Sequence, residues 1–490
     1  MNLPRLPIVV AVIALAAAAV TFFLTGNLLS PSIDEGIYIQ GAHRIASGQV
    51  PYRDFFAFAG PITYWIEAAV EILAGRSVPA MRLAIALSVG LIAAGIVSVV
   101  QSFAGLRAGL SIAVLWFGIT IDLWNRLEVN HRWISMGFYS AALICLFIGD
   151  RNIGKVRAFC AGAALALACW TTQSFAWPLS ILAVYFFFAI RNRLPAFLLG
   201  AASFGIVPAL VLANQGALAP MLENLRWIAV NYQAANRVQY GYYFADTPWR
   251  YAPHVWSSIW LPPFAAALGL FLILFRKQRD LIFPLVLVLA IFPTSYPKWD
   301  ALQLMFISGP FFALTLAMVW RMLPKDLDAV AQAACLMPAV FFILHVYSMT
   351  DQFTSASTRA GNLIGNPDNV TALQQFEDAI PAGSKVFVYP YMTSLYPLLH
   401  IENPTRYEYL QPGMMTAKDE ENVLSDLERS PPPFIFWHDF PSDLILKIWP
   451  NTDPTRLHFT RVENFIHDRY QPGFQNQNSY FAGRVWTLKR

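Results

Sequence analysis

The sequence predicts an α-helical polytopic membrane protein of about eleven transmembrane helices, with its N-terminus inside and a small C-terminal α/β domain outside the membrane. Three observations carry that prediction. Only 13% of the 490 residues are charged and 56% are hydrophobic, whereas soluble domains average roughly a quarter charged residues, so the chain cannot cover a water-facing surface of its size. Apolar runs recur through the first 350 residues with short basic connectors between them. Past Met349 most of the carboxylates appear, and helical patterns alternate with short β-type runs.

The first run, residues 8–29 behind Arg5, has the Ala-rich middle of a signal peptide. It stays apolar through Val20, Phe22, Phe23 and Leu24, which is too long for that reading and fits a retained transmembrane helix. Further runs lie near 79–103, 108–121, 132–149, 156–172, 174–190, 194–213, 255–275, 281–295, 299–320 and 329–349. The basic connectors are Arg151, Lys155 and Arg157, then Arg191 and Arg193, then Arg276, Lys277 and Arg279, and last Arg321 and Lys325. Their charge places them in the cytoplasm. Parity then puts residues 30–78, 122–131, 214–254 and everything after 350 on the outer side. This works only if residues 61–74, with Glu67 and Glu71 four apart, form an amphipathic helix on the outer membrane surface and not a span.

The chain therefore divides into a transmembrane domain, 1–350, with a catalytic first outer loop at 30–78, and an extracytoplasmic α/β domain, 351–490. In the latter, residues 371–379 and 419–429 read as helices, and 386–389, 434–437 and 483–488 as strands, with Pro431, Pro432 and Pro433 turning the chain before the second strand. Cys145, Cys160, Cys169 and Cys335 all fall in apolar stretches without CxxC spacing and read as packing residues. The net charge of +4 comes from scattered Lys and Arg with no basic run, so nucleic acid is not an expected partner.

The chemistry concentrates in residues 30–64, SPSIDEGIYIQGAHRIASGQVPYRDFFAFAGPITY. Asp34 and Glu35 follow the first helix closely, so their carboxylates belong at headgroup depth on the outer face, where a lipid-linked phosphate lies. A base acting on a sugar tethered to such a phosphate needs that position. Ser32 or Asp34 serving as a helix cap is the alternative. Asp54 is a third candidate acid, with an ion pair to Arg53 or Arg44 as its alternative. Tyr52 and Arg53 are supporting candidates for binding.

The acidic pair Asp34-Glu35 directly after helix one, a short helix ending at Ala46-Ser47-Gly48, then Pro51-Tyr52-Arg53-Asp54 and Gly60-Pro61 with Tyr64 behind make up a recognisable pattern. It resembles the first extracytoplasmic loop of the polyprenyl-phosphate-sugar-dependent glycosyltransferases of the GT-C superfamily, which includes protein O-mannosyltransferases and bacterial aminoarabinose transferases. The resemblance implies an inverting hexosyl or pentosyl transfer from a polyprenyl-phosphate sugar, with Asp34 at the position of the general base. It implies a multi-pass protein of the inner (plasma) membrane whose active site and C-terminal domain face the periplasm. Some relatives bind a metal through an acid further along this loop. The position before Gly60-Pro61 is apolar here, which leaves Asp34 and Asp54 as candidate ligands of a divalent metal cation; no other cofactor is expected.

A polyprenyl phosphate leaves without protonation, so one base suffices, and the departing charge calls for cations on the outer face. Asn130, His131 and Arg132 stand where an outer loop enters a helix, and Lys298, Trp299 and Asp300 do the same after Pro293 and Pro297. Outer-side cations at helix starts run against the positive-inside trend and ask for an anionic partner. Lys298 leads as the phosphate ligand, with pairing to Asp300 as the alternative. Gln173 lies where some relatives carry Lys. Arg226, Arg237 and Arg250, with Tyr240, Tyr242 and Tyr243, are binding candidates in the loop 214–254, where aromatic rings suit sugars and membrane interfaces equally. Asn403-Pro404-Thr405-Arg406 reads as a turn, and His438-Asp439 follows a strand without a Ser or Cys partner, which favours acceptor recognition over hydrolysis. Expected partners are the donor lipid, a lipid, glycan or protein acceptor, and membrane lipids. A transporter or flippase of lipid-linked sugars, or a glycan polymerase or ligase, are the competing readings.

Overall fold

The computed structural model describes residues 6–29, 32–123, 127–149, 152–242, 252–477 and 479–489. Arg5, Ser30, Arg151, Tyr243 and Arg250 lie outside the described residues.

Each apolar run forms helix. In order these are Leu6–Thr25, Leu83–Ala104, Leu106–Asp122, His131–Phe147, Lys155–Thr171, Ala176–Ala189, Leu194–Asn214, Ala252–Phe275, Ile282–Ala290, Ser308–Met322 and Asp328–Thr350. They are not equal crossings. By length and apolarity, 5 stretches among the described residues can cross a membrane unaided: Leu6–Thr25, Val78–Ala104, Arg191–Asn214, Ser257–Phe275 and Lys325–Thr350. Ile282–Ala290, at 9 residues, rises only about 14 Å at 1.5 Å per residue, against a hydrocarbon thickness of about 30 Å. Pro293 and the turns after it stop that helix before it can lengthen.

Small residues bring the helices close. A Cβ on Gly162 would collide with the Phe197 carbonyl and one on Gly200 with the Phe159 carbonyl, so Lys155–Thr171 and Leu194–Asn214 meet backbone to backbone through this pair. Such contacts suit helices in lipid, where association depends on close packing. The perimeter is apolar: Phe23 is 86% exposed and Phe188 80%, a surface that a lipid environment satisfies.

After the first helix the chain forms Ile33–Ala46 and Pro61–Ala74, which pack together. Pro61–Ala74 is helical as expected, but its acidic face turns into the protein while Ile72 and Leu73 are exposed. Glu71 meets His43 at 2.7 Å. Glu67 is fully buried with neither carboxylate oxygen bonded, and burial, then the nearby Glu35 charge, raises its pKa well above the usual range.

Beyond residue 351 the hairpin Thr354–Thr358 and Gly361–Gly365 lies against the end of the first helix, where the Leu29 amide donates to the Ile364 carbonyl at 2.7 Å. A four-stranded sheet follows in the order Val386–Tyr389, Phe434–His438, Gly483–Leu488, Tyr470–Asn476. Its first pair is parallel and the others are antiparallel. Pro367–Ala379, Ala417–Arg429 and Thr460–Arg469 are its main helices, and Thr416 and Asp419 cap the second reciprocally. The sheet unit is tied to the segment after the first helix by a buried ion pair between Arg44 Nε and Glu408 Oε1 at 2.5 Å.

Candidate active site

Ile33–Ala46 starts with no side-chain cap from Ser32 and carries Asp34 and Glu35 in its first turn, where helix-end amides favour negative charge. Adjacent residues on a helix point about 100° apart, so the two acids part company. Glu35 is buried: Arg82 Nε and Nη2 meet its two oxygens at 2.8 and 2.7 Å, and the Val129 amide donates to Oε1 at 3.0 Å. Arg82 also donates to the Thr25 carbonyl at 3.0 Å. Glu35 thus joins the helix Ile33–Ala46 to the end of the first apolar helix and the start of Leu83–Ala104. Both oxygens are bonded and the side chain is buried, so Glu35 is enclosed where an incoming acceptor does not reach it.

Asp34 stays half-buried and accepts a hydrogen bond from Tyr391 Oη at 2.6 Å. Burial, followed by the Asp34 charge, pushes the Tyr391 hydroxyl well above its ordinary pKa, which keeps it a proton donor. Tyr38 and Tyr409 are also buried within reach of the Asp34 charge and are raised in the same way. Tyr232 joins them: burial raises its hydroxyl, a hydrogen bond and charge from Arg132 act against that, and the carboxylates of Asp300 and Asp34 add to it. Asp34 and Arg132 thus both act on Tyr38 and Tyr232, and Asp300 acts on Tyr232 as well.

Lys298 completes the arrangement. Its Nζ lies 3.5 Å from Asp300 Oδ2 and 5.5 Å from the Trp449 ring centre, and Trp449 is 6.2 Å from the Tyr391 ring. The strand Lys298–Asp300 pairs with Val238–Tyr242, and Asp300 caps the following helix by accepting the Gln303 amide at 2.7 Å. His131 sits behind this group, with Nδ1 2.7 Å from Thr172 Oγ1 and its ring 5.5 Å from that of Tyr38. The Asn130 side chain caps the helix at the Arg132 amide, 2.9 Å away, which sets where Arg132 departs.

Asp54 and Tyr52 are engaged within their own loop. Asp54 is taken by Arg53 at 2.8 Å and by the Val50 amide at 2.7 Å. Tyr52, at φ 68°, donates to the Ala59 carbonyl at 2.8 Å and closes its loop. Gln173 opens the turn after Thr172, and Arg237 is exposed just before the strand that pairs with Lys298. Among the described residues, no three His, Cys, Asp or Glu side chains converge on a metal position. With Asp54 already bonded, these donors do not fit a metal centre.

Sequence reasoning overlooked Tyr391, Tyr409 and Trp449. They come from beyond residue 351, and their aromatic character alone did not separate them from the many rings expected at membrane interfaces.

No protein-family model matches the chain, and no curated protein matches its sequence. Its structure matches solved ones. ArnT from Cupriavidus metallidurans, bound to undecaprenyl phosphate, aligns over 97% of both chains with a TM-score of 0.57 and 14% identity. Its apo state aligns over 97% of both at 0.61 and 12% identity. The Archaeoglobus fulgidus oligosaccharyltransferase tethered to an acceptor peptide aligns over 97% of this chain and 74% of that one, at 0.51 and 11% identity. Over nearly its whole length, the chain has the fold of these proteins.

Proposed function

We propose that this protein is an integral-membrane glycosyltransferase that moves a sugar from a polyprenyl phosphate to an acceptor hydroxyl on the extracytoplasmic face, with inversion and with Asp34 as general base. The observation that carries this reading is the setting of Asp34. It follows the first span, is held at one oxygen by Tyr391, and shares its tyrosine surroundings with Arg132. The undecaprenyl phosphate bound to ArnT supports the donor class, since that protein has the same fold.

In this mechanism Tyr391 fixes Oδ1 and the other oxygen of Asp34 takes the acceptor proton. The acceptor oxygen bonds to the anomeric carbon from the side opposite the phosphate. The bond from that carbon to the phosphate oxygen breaks, and its electron pair leaves with the polyprenyl phosphate. Arg132 and Lys298 supply the positive charge that stabilises the leaving phosphate. Glu35 and Arg82 hold the helix that carries the base, and no step uses a metal.

Asp34→Asn tests the reading. Transfer of labelled sugar from polyprenyl phosphate should fall by roughly 10²- to 10⁴-fold, the usual contribution of a general base, while thermal melting in detergent is preserved. Full activity in that variant rejects Asp34 as the base.

A further inference from the structure

The carboxyl ends of the two parallel strands, Val386–Tyr389 and Phe434–His438, open onto a pocket of about 360 Å³ in the C-terminal segment. Open α/β sheets bind ligands at that edge. Tyr389, Trp437, His438, Asp439, Phe440 and Glu463 are among its walls, and no Lys or Arg lines it. Glu463 Oε1 accepts from Tyr389 Oη at 2.6 Å and lies 3.1 Å from His458 Nδ1. His438 is only 6% exposed, and its Nδ1 makes no well-formed hydrogen bond, the Tyr391 and Tyr480 carbonyls lying near the ring. A buried ring nitrogen so incompletely satisfied beside a pocket is costly unless a ligand bonds it.

The pocket adjoins the Asp34 site. Phe440 stacks on His438 at 5.5 Å and lies 6.4 Å from Tyr391 and 6.3 Å from Trp449, so one aromatic wall runs from His438 to the tyrosine that holds Asp34. Aromatic faces cover the apolar sides of sugar rings, while carboxylates and a neutral imidazole bond hydroxyls. Two acids with no Lys or Arg among the lining residues disfavour phosphate and carboxylate ligands.

We propose that this pocket is a saccharide subsite that takes an uncharged, hydroxyl-rich sugar unit of the acceptor and presents its neighbouring hydroxyl toward Asp34. The acceptor role rests on the transferase reading above, whereas the binding of a neutral saccharide does not. The acceptor is thereby a glycan or glycolipid bearing a neutral sugar.

The test uses the full chain in lipid nanodiscs without polyprenyl donor, with methyl hexosides, methyl pentosides and methyl N-acetylhexosaminides as probes and saturation-transfer NMR and calorimetry as readouts. At least one neutral glycoside should bind, and a phosphate monoester of that sugar should bind at least tenfold more weakly. Asp439→Asn combined with His438→Gln should weaken binding tenfold or more, and Ser442→Trp, a substitution at an exposed lining position, should abolish it with unchanged melting. In transfer assays the same substitutions should raise acceptor KM more than they lower kcat. Absence of binding by every glycoside, or binding unaltered in both variants, overturns the subsite. Because the binding assay contains no donor, an active Asp34→Asn enzyme would reject the base and leave the subsite standing.

Discussion

Two adjacent carboxylates, Asp34 and Glu35, begin the same helix and end in opposite circumstances. Glu35 is enclosed by Arg82 and the Val129 amide, and Asp34 meets one tyrosine and otherwise faces the site. Their substitutions should separate accordingly. Glu35→Ala leaves the buried Arg82 guanidinium unpaired, a defect that costs roughly 3–5 kcal/mol, and should lower the melting temperature together with activity. Tyr391→Phe keeps the ring and loses only the bond to Oδ1. A hydrogen bond to a charged group contributes about 1.5–3 kcal/mol, so kcat should fall roughly ten- to hundredfold with donor KM and melting nearly unchanged. A Tyr391→Phe enzyme with wild-type kcat would remove Tyr391 from the positioning of the base.

Among the elements, the helix Ile33–Ala46 bears most of the burden, because its start is pressed against the C-terminal segment. A Cβ on Gly36 would overlap the Thr393–Ser394 backbone, and Thr393 Oγ1 donates to the Ile33 carbonyl. Gly36→Ala must therefore push Thr393 away and carry Tyr391 from Asp34. Overpacking of this kind costs about 1–3 kcal/mol. A modest drop in melting temperature with a disproportionate loss of transfer is expected, and wild-type kinetics would show the contact to be dispensable. The strands 386–389, 434–437 and 483–488 were legible from β-branched and aromatic runs, but Tyr470–Asn476 was not. It contains Pro472 and Gly473, which read as breakers; the structure tolerates them because this is an edge strand whose register shifts between Pro472 and Gln475. Glu67 and Glu71 gave the correct helix and the wrong face, since periodicity identifies a polar stripe without saying whether water or protein meets it.

Across the whole molecule, the sheet unit is joined to the segment after the first helix through Arg44–Glu408 and Tyr391–Asp34, and acid should weaken the protein on the sheet side. Burial lowers the His438 pKa from 6.5 to about 4, and the nearby carbonyls of Tyr391 and Tyr480 only partly offset it. The unfolded chain then binds a proton that the folded one refuses in the window between those values, so stability is complete above pH 6.5 and declines as pH falls toward 4. At about 1.4 kcal/mol per unit, this comes to about 3 kcal/mol in all. The melting temperature of His438→Gln should fall less than that of the wild type between pH 7 and 5, and identical profiles would exclude His438 as the source.

Hydropathy is a sum over neighbouring residues, and it was enough to locate the eleven apolar runs that form helix, the basic connectors and an acidic segment just past the first of them. It was not enough to tell a short apolar helix such as Ile282–Ala290 from a full crossing. Nor does any local quantity register that Tyr391, 357 positions away, would donate to Asp34, or that Arg82 would occupy Glu35. Those outcomes depend on which surfaces can approach, as Gly36 against Thr393 and Leu29 against Ile364 show. The sequence placed two neighbouring carboxylates just past the first apolar helix; close packing between distant segments decided which of them is enclosed and which stays open.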